Sequence, residues 1–85
     1  MKLRHERIKE RLKELGLTKI SLSSELNISR QALDQTIKGN PSTTSIKKIS
    51  DRLDMHPVEL LELGEGFEHY YVRNKWAGIR RVRKK

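Results

Sequence analysis

The stretch Thr18–Gly39, TKISLSSELNISRQALDQTIKG, reads as two short amphipathic helices joined by a turn. Thr18 offers its hydroxyl to the free N–H groups of a first turn and caps a helix predicted to run to Leu26. Within that helix Leu22 and Leu26 share a face at i, i+4 spacing, and Ser23 beside them is small enough for a close helix crossing. Asn27 is the stop, because its short amide enters the left-handed region at little cost. Ile28 is expected to pack into the bend. Ser29 caps a second helix from Arg30 to Lys38, with Leu33 and Ile37 facing inward and Gly39 as the C′ residue after its end. A 3.6-residue wheel then leaves Arg30, Gln31, Asp34, Gln35 and Lys38 on the outer face.

Those residue types suit the reading of a DNA major groove. The planar fork of arginine matches the O6 and N7 acceptors of guanine, and glutamine pairs its amide with N7 and N6 of adenine. Each bidentate pair is worth about 1–3 kcal/mol of discrimination. A polar helix face is ordinarily just solvated. A cap, a turn, a second cap and a glycine stop in one short segment argue for the more specific use.

The segments RIKERLKELGLT, SSELNISRQALDQTIKG, NPSTTSIKKISDRL and HPVELLEL extend the pattern on both sides. Together, from about Arg7 to Leu63, they resemble the helix-turn-helix domain of the Cro and lambda-repressor type over about two thirds of the chain. That family usually carries Gln, Ala and Gly where this chain has Lys19, Ser23 and Asn27. The resemblance implies an all-α, compact five-helix DNA-binding domain. It further implies that Arg30, Gln31, Asp34 and Gln35 face the bases, while Lys19, Ser29, Lys38 and Asn40 touch the DNA backbone. The loop at Gly39 and Asn40 reads equally as an ordinary connection.

The remaining helices follow from spacing. Ile8, Leu12 and Leu15 give an apolar stripe to a first helix over Leu3–Leu15, ended by Gly16. Asn40 and Pro41 form a loop, since the residue before proline avoids the helical region. A fourth helix is expected over Thr44–Leu53, with Ile46, Ile49 and Leu53 inward. Asp54 and Met55 turn the corner, Pro57 suits a first helical position, and Val58, Leu60, Leu61 and Leu63 are expected to form a short fifth helix. Residues 1–64 are therefore assigned to the DNA-binding domain and 65–85 to a basic, aromatic C-terminal extension.

Eighty-five residues with 19 Lys and Arg against 11 Asp and Glu carry a net charge of +8. A chain this short buries about 60% of its unfolded surface and leaves no room for an elaborate enzyme pocket. Basic charge on this scale attracts phosphates. The absence of cysteine excludes disulfides and thiolate metal sites. His5, His56 and His69 share no ligand spacing, and neither a glycine-rich phosphate loop nor a serine elbow is present. No enzyme, metal, cofactor or small-molecule ligand is expected. No apolar run approaches the roughly 20 residues that span a bilayer, so no membrane partner is expected and a cytoplasmic location is inferred.

From Phe67 the composition changes. FEHYYV and KWAGIRRV are rich in aromatic and β-branched residues, and Arg73 and Asn74 between them read as a turn, so a two-stranded hairpin is preferred over a helix interrupted by Asn74 and Gly78. Three roles stand open for it. It is a dimerisation arm burying Phe67, Tyr71 and Trp76; a DNA arm laying Arg80, Arg81, Arg83, Lys84 and Lys85 along phosphates or into a minor groove; or a cap on the bundle. The expectation is a sequence-specific transcriptional regulator of double-stranded operator DNA, acting as a repressor and a homodimer. The alternatives are a protein-interaction module, such as an antitoxin or adaptor, and an RNA binder using Tyr70, Tyr71 and Trp76.

Overall fold

Four α-helices, one 3₁₀ turn and a hairpin follow one another in the described residues, 2–83, of the computed structural model. The elements are α1 (His5–Glu14), α2 (Lys19–Glu25), α3 (Arg30–Lys38), α4 (Thr43–Leu53), the 3₁₀ turn Pro57–Leu60, β1 (Phe67–Val72) and β2 (Lys75–Arg81).

Capping sets the boundaries. Thr18 accepts from the Ser21 amide while the Ser21 hydroxyl is reached by the Thr18 amide, a reciprocal box that starts α2. Ser29 and Ser42 accept in the same way from Ala32 and Ser45 and start α3 and α4. Asn27 takes φ 60° in the turn between α2 and α3, as its amide permits. Ser23 is buried at the crossing and donates its hydroxyl to the Ile20 carbonyl, so a small polar side chain sits there without an orphaned group.

Four expectations are corrected. The helical domain is present with four α-helices and not five: Pro57–Leu60 makes a single 3₁₀ turn, capped by His56 Nδ1 accepting from the Val58 amide, and Leu61 then runs extended. Tertiary pairing overrides helix propensity there, because Leu61 forms an antiparallel bridge with Leu3. The same bridge delays α1, which begins at His5 rather than Leu3, with the Arg4 amide donating to the Leu60 carbonyl. Gly39 is not left-handed. Its φ is −94°, and glycine is required because a Cβ at that point would lie 2.7 Å from the Gln35 carbonyl oxygen. Ile28 is only partly packed, at 38% exposure.

The core joins Leu3, Ile8, Leu12, Leu22, Leu33, Ile37, Ile46, Ile49, Leu53 and Leu60, one contribution or more from every helix. Leu33 and Ile37 therefore anchor one side of α3, and the opposite side is held at a fixed angle. Arg52 donates in a two-pronged fashion to Glu25 at 2.6 and 2.9 Å, which ties α4 to α2; the hydrogen bond to Glu25 raises the guanidinium pKa.

The expected hairpin is present. Arg73 and Asn74 both take positive φ, 52° and 66°, the two-residue geometry whose twist matches that of the strands. The strands are antiparallel, and the register steps from Tyr70↔Gly78 to Tyr71↔Trp76, so Ala77 bulges out of β2. One face of the hairpin lies on the bundle. Trp76 Nε1 donates to His69 Nδ1 at 3.0 Å, and indole can only donate, so His69 carries its proton on Nε2 and donates it to the Leu61 carbonyl at 2.7 Å. The Tyr71 hydroxyl donates to Glu59 Oε2 at 3.1 Å and accepts from Arg4 Nη1 at 3.0 Å. Glu59 is buried and also receives Arg7 Nε at 2.9 Å. Burial opposes the charge on Arg7, but the bond and charge of Glu59 outweigh it and the guanidinium pKa is raised. His56 stacks on Trp76 with ring centres 4.8 Å apart.

Candidate nucleic-acid interface

The polar side of α3 is built by its apolar side. With Leu33 and Ile37 buried, the helical repeat turns Arg30, Gln31, Gln35 and Lys38 to solvent, and all four are exposed. Arg30, Gln31 and Gln35 form no side-chain hydrogen bond or ion pair among the described residues. Their donors and acceptors remain available for a partner outside the chain. Thr36, on the flank, donates its hydroxyl to the Ala32 carbonyl instead.

Asp34 belongs to the same side but is already engaged. Lys19 Nζ, at the start of α2, lies 3.0 Å from Asp34 Oδ1 and 3.1 Å from His5 Nε2. The hydrogen bond from Lys19 holds the Asp34 carboxyl below the usual carboxylate range; burial opposes it, and the charges of Lys19, Lys38 and Arg30 add to the lowering. An ammonium group only donates, so His5 Nε2 accepts and its proton sits on Nδ1. Three helices thus meet at one charge-paired point beside the polar face of α3. The spacing within Thr18–Gly39 brings out Lys19 and Asp34 separately. His5 escaped that reading because no local period links it to either.

Of the residues assigned to the DNA backbone, Ser29 lies at the N-terminus of α3 with its hydroxyl oxygen accepting from Ala32, which leaves its own proton to donate. Lys38 and Asn40 are exposed at the opposite end. Ser29 and Lys38 therefore bracket the polar face, and Lys19 stands beside it in its pair.

The C-terminal basic residues are arranged differently. Arg80 donates to Glu68 at 2.8 Å across the strands and lies 5.2 Å from the centre of the Tyr70 ring, so part of its charge is locally compensated. Arg81 and Arg83 are exposed. Lys84 and Lys85 lie outside the described residues. The Tyr71 hydroxyl donates to Glu59 of the bundle and the Trp76 indole N–H to His69 of β1. Among the described residues no helix is long and apolar enough to cross a membrane.

The family model described as helix-turn-helix matches residues 8–60, which run from inside α1 to the end of the 3₁₀ turn and stop before the hairpin. No curated protein and no solved structure matches the chain.

Proposed function

The chain belongs to the helix-turn-helix family of the Cro and lambda-repressor type, and from that premise we propose that it is a sequence-specific double-stranded DNA-binding transcriptional regulator that represses as a homodimer. The observation that supports this most is the free, outward donor set of Arg30, Gln31 and Gln35 on a helix fixed from behind by Leu33 and Ile37. Arg30, Gln31 and Gln35 read base edges, and Ser29, Lys38 and Asn40 contact phosphate and sugar. Repression follows from occupancy: a dimer spanning two half-sites about 34–36 Å apart covers enough duplex to exclude polymerase.

Two features of the hairpin support the dimer. A two-stranded sheet leaves an unpaired edge on each strand, and Phe67, Val72, Ile79 and Val82 are 42–55% exposed on it. Replacing Phe67 and Ile79 together by Glu is expected to shift sedimentation toward monomer.

Selection of bound duplexes from a random pool tests the whole reading. A consensus with two-fold symmetry is expected, and a pool without enrichment overturns sequence-specific binding. Within the selected operator, Gln31→Ala and Gln35→Ala are expected to lower the preference for operator over random duplex by about 1–3 kcal/mol each, while affinity for random duplex stays the same.

A further inference from the structure

A carboxylate on a surface that must approach phosphates is repelled by them, and an ammonium beside that surface is drawn to them whatever the base sequence. Asp34 and Lys19 occupy those two positions and are bound to each other at 3.0 Å. Both side chains are partly shielded, at 21% exposure for Lys19 and 30% for Asp34, and His5 takes a second N–H of the same ammonium. Presented together they carry no net charge to the duplex. By contrast Arg30 and Lys38 on either side of Asp34 are exposed and unpaired with it at bonding distance, so the lysine and not the recognition helix supplies the neutralising group.

We propose that Asp34 is a specificity-determining residue that acts through Lys19, without reading a base itself: it withholds the Lys19 ammonium from phosphate and so suppresses binding to random duplex. This rests on the DNA-binding reading given above. Lys19 would otherwise add one sequence-independent phosphate contact beside the face that discriminates bases. The pairing converts that side of the interface from an attractive patch into a neutral one, and discrimination is left to Arg30, Gln31 and Gln35. His5 holds the lysine from the α1 side, so the ammonium is fixed by two acceptors on two different helices.

The test compares salt titrations of wild type, Asp34→Asn, Lys19→Ala and the double variant on operator and random duplex. Asp34→Asn keeps the shape of the side chain and removes the negative charge that compensates the lysine, so that phosphate competes for the ammonium against neutral acceptors only. It is expected to steepen the dependence of log K on log salt by about 0.9, so that between 50 and 200 mM salt it loses about 3.5-fold more affinity than wild type. Its low-salt affinity for random duplex rises and the operator preference falls. Lys19→Ala alone uncovers the carboxylate and weakens binding to both duplexes, and the double variant returns to the wild-type slope and preference. An Asp34→Asn protein with an unchanged slope overturns the proposal, whether it loses discrimination at a single base pair or shows no effect. A double variant that fails to restore the wild-type values overturns it as well. Wild type without salt-dependent duplex binding overturns the regulator reading instead, so the two failures are distinct.

Discussion

The recognition helix and the C-terminal hairpin are both polar, basic segments, yet they dispose of their polar atoms in opposite ways. On α3, the side chains of Arg30, Gln31 and Gln35 form no hydrogen bond or ion pair among the described residues. On the hairpin, His69, Tyr71 and Trp76 are all bonded to the bundle or to one another, and Arg80 is held by Glu68 and Tyr70. Composition alone ranks the C-terminal extension as the stronger nucleic-acid candidate, since residues 64–85 hold the aromatics and, at +5 of +8, most of the excess charge. The bonding pattern reverses that order. A side chain whose hydrogen-bond capacity is satisfied internally must break those bonds before it can recognise anything, whereas an unpaired one exchanges only water.

The contrast can be broken most severely at Leu33. It is fully buried behind the polar face, and Leu33→Ala is expected to cost about 2–5 kcal/mol in urea unfolding. Operator binding should fall with it, because the reading face loses its backing. On the hairpin side the largest effect is expected from Glu59→Ala, which strips Arg7 and Tyr71 of their shared acceptor. A loss of about 1.5–3 kcal/mol is anticipated, together with faster amide exchange in β1 and β2. Operator preference should hold in whatever fraction remains folded, and a loss of preference there would join the two regions that the bonding pattern separates.

Gly39→Ala probes the end of α3 by overpacking. The new Cβ meets the Gln35 carbonyl oxygen at 2.7 Å, so the last turn must shift, at a cost of about 1–3 kcal/mol. Chemical-shift changes should concentrate on Gln35 and Lys38. Tyr71→Phe removes one hydroxyl from the hairpin contact and is expected to cost about 0.5–1.5 kcal/mol, with operator affinity unchanged. The smallest effect concerns acid. The Asp34 pKa is depressed in the folded protein, so the stability linked to it is complete above the unfolded value and is lost only as pH falls through the lower folded value. A carboxyl NMR titration should show Asp34 still ionised where ordinary aspartates are already protonated.

Much of the geometry of α2, α3 and the turn between them was legible in the sequence because it is local. Caps, the Asn27 turn and the i, i+4 pairs Leu22–Leu26 and Leu33–Ile37 act within one or two helical turns, and α3 begins and ends where its residues say. The Arg73–Asn74 turn and its flanking strands were legible for the same reason. What escaped was non-local. Leu61 reads as helix until its pairing with Leu3 is known. The contacts of Lys19 with Asp34 and His5, which come from two other helices, have no signature in the local pattern. Gly39 reads as a left-handed stop, although its actual constraint is a steric one against Gln35. In each case the deciding neighbour lies outside the local pattern, or acts through space and not through backbone handedness.

The antiparallel bridge from Leu3 to Leu61 carries a kinetic implication. Closing a chain segment of about 60 residues costs about 3.6 kcal/mol of ring-closure entropy beyond a fixed term, so this contact is a late event in folding, after the neighbouring helices have found one another. Glu59 and Leu61, the landing points of Tyr71 and His69, sit on the strap that the bridge secures. The C-terminal ribbon is consequently expected to settle last, with amide protection in β1 and β2 appearing after that in the helices in a refolding pulse-exchange experiment.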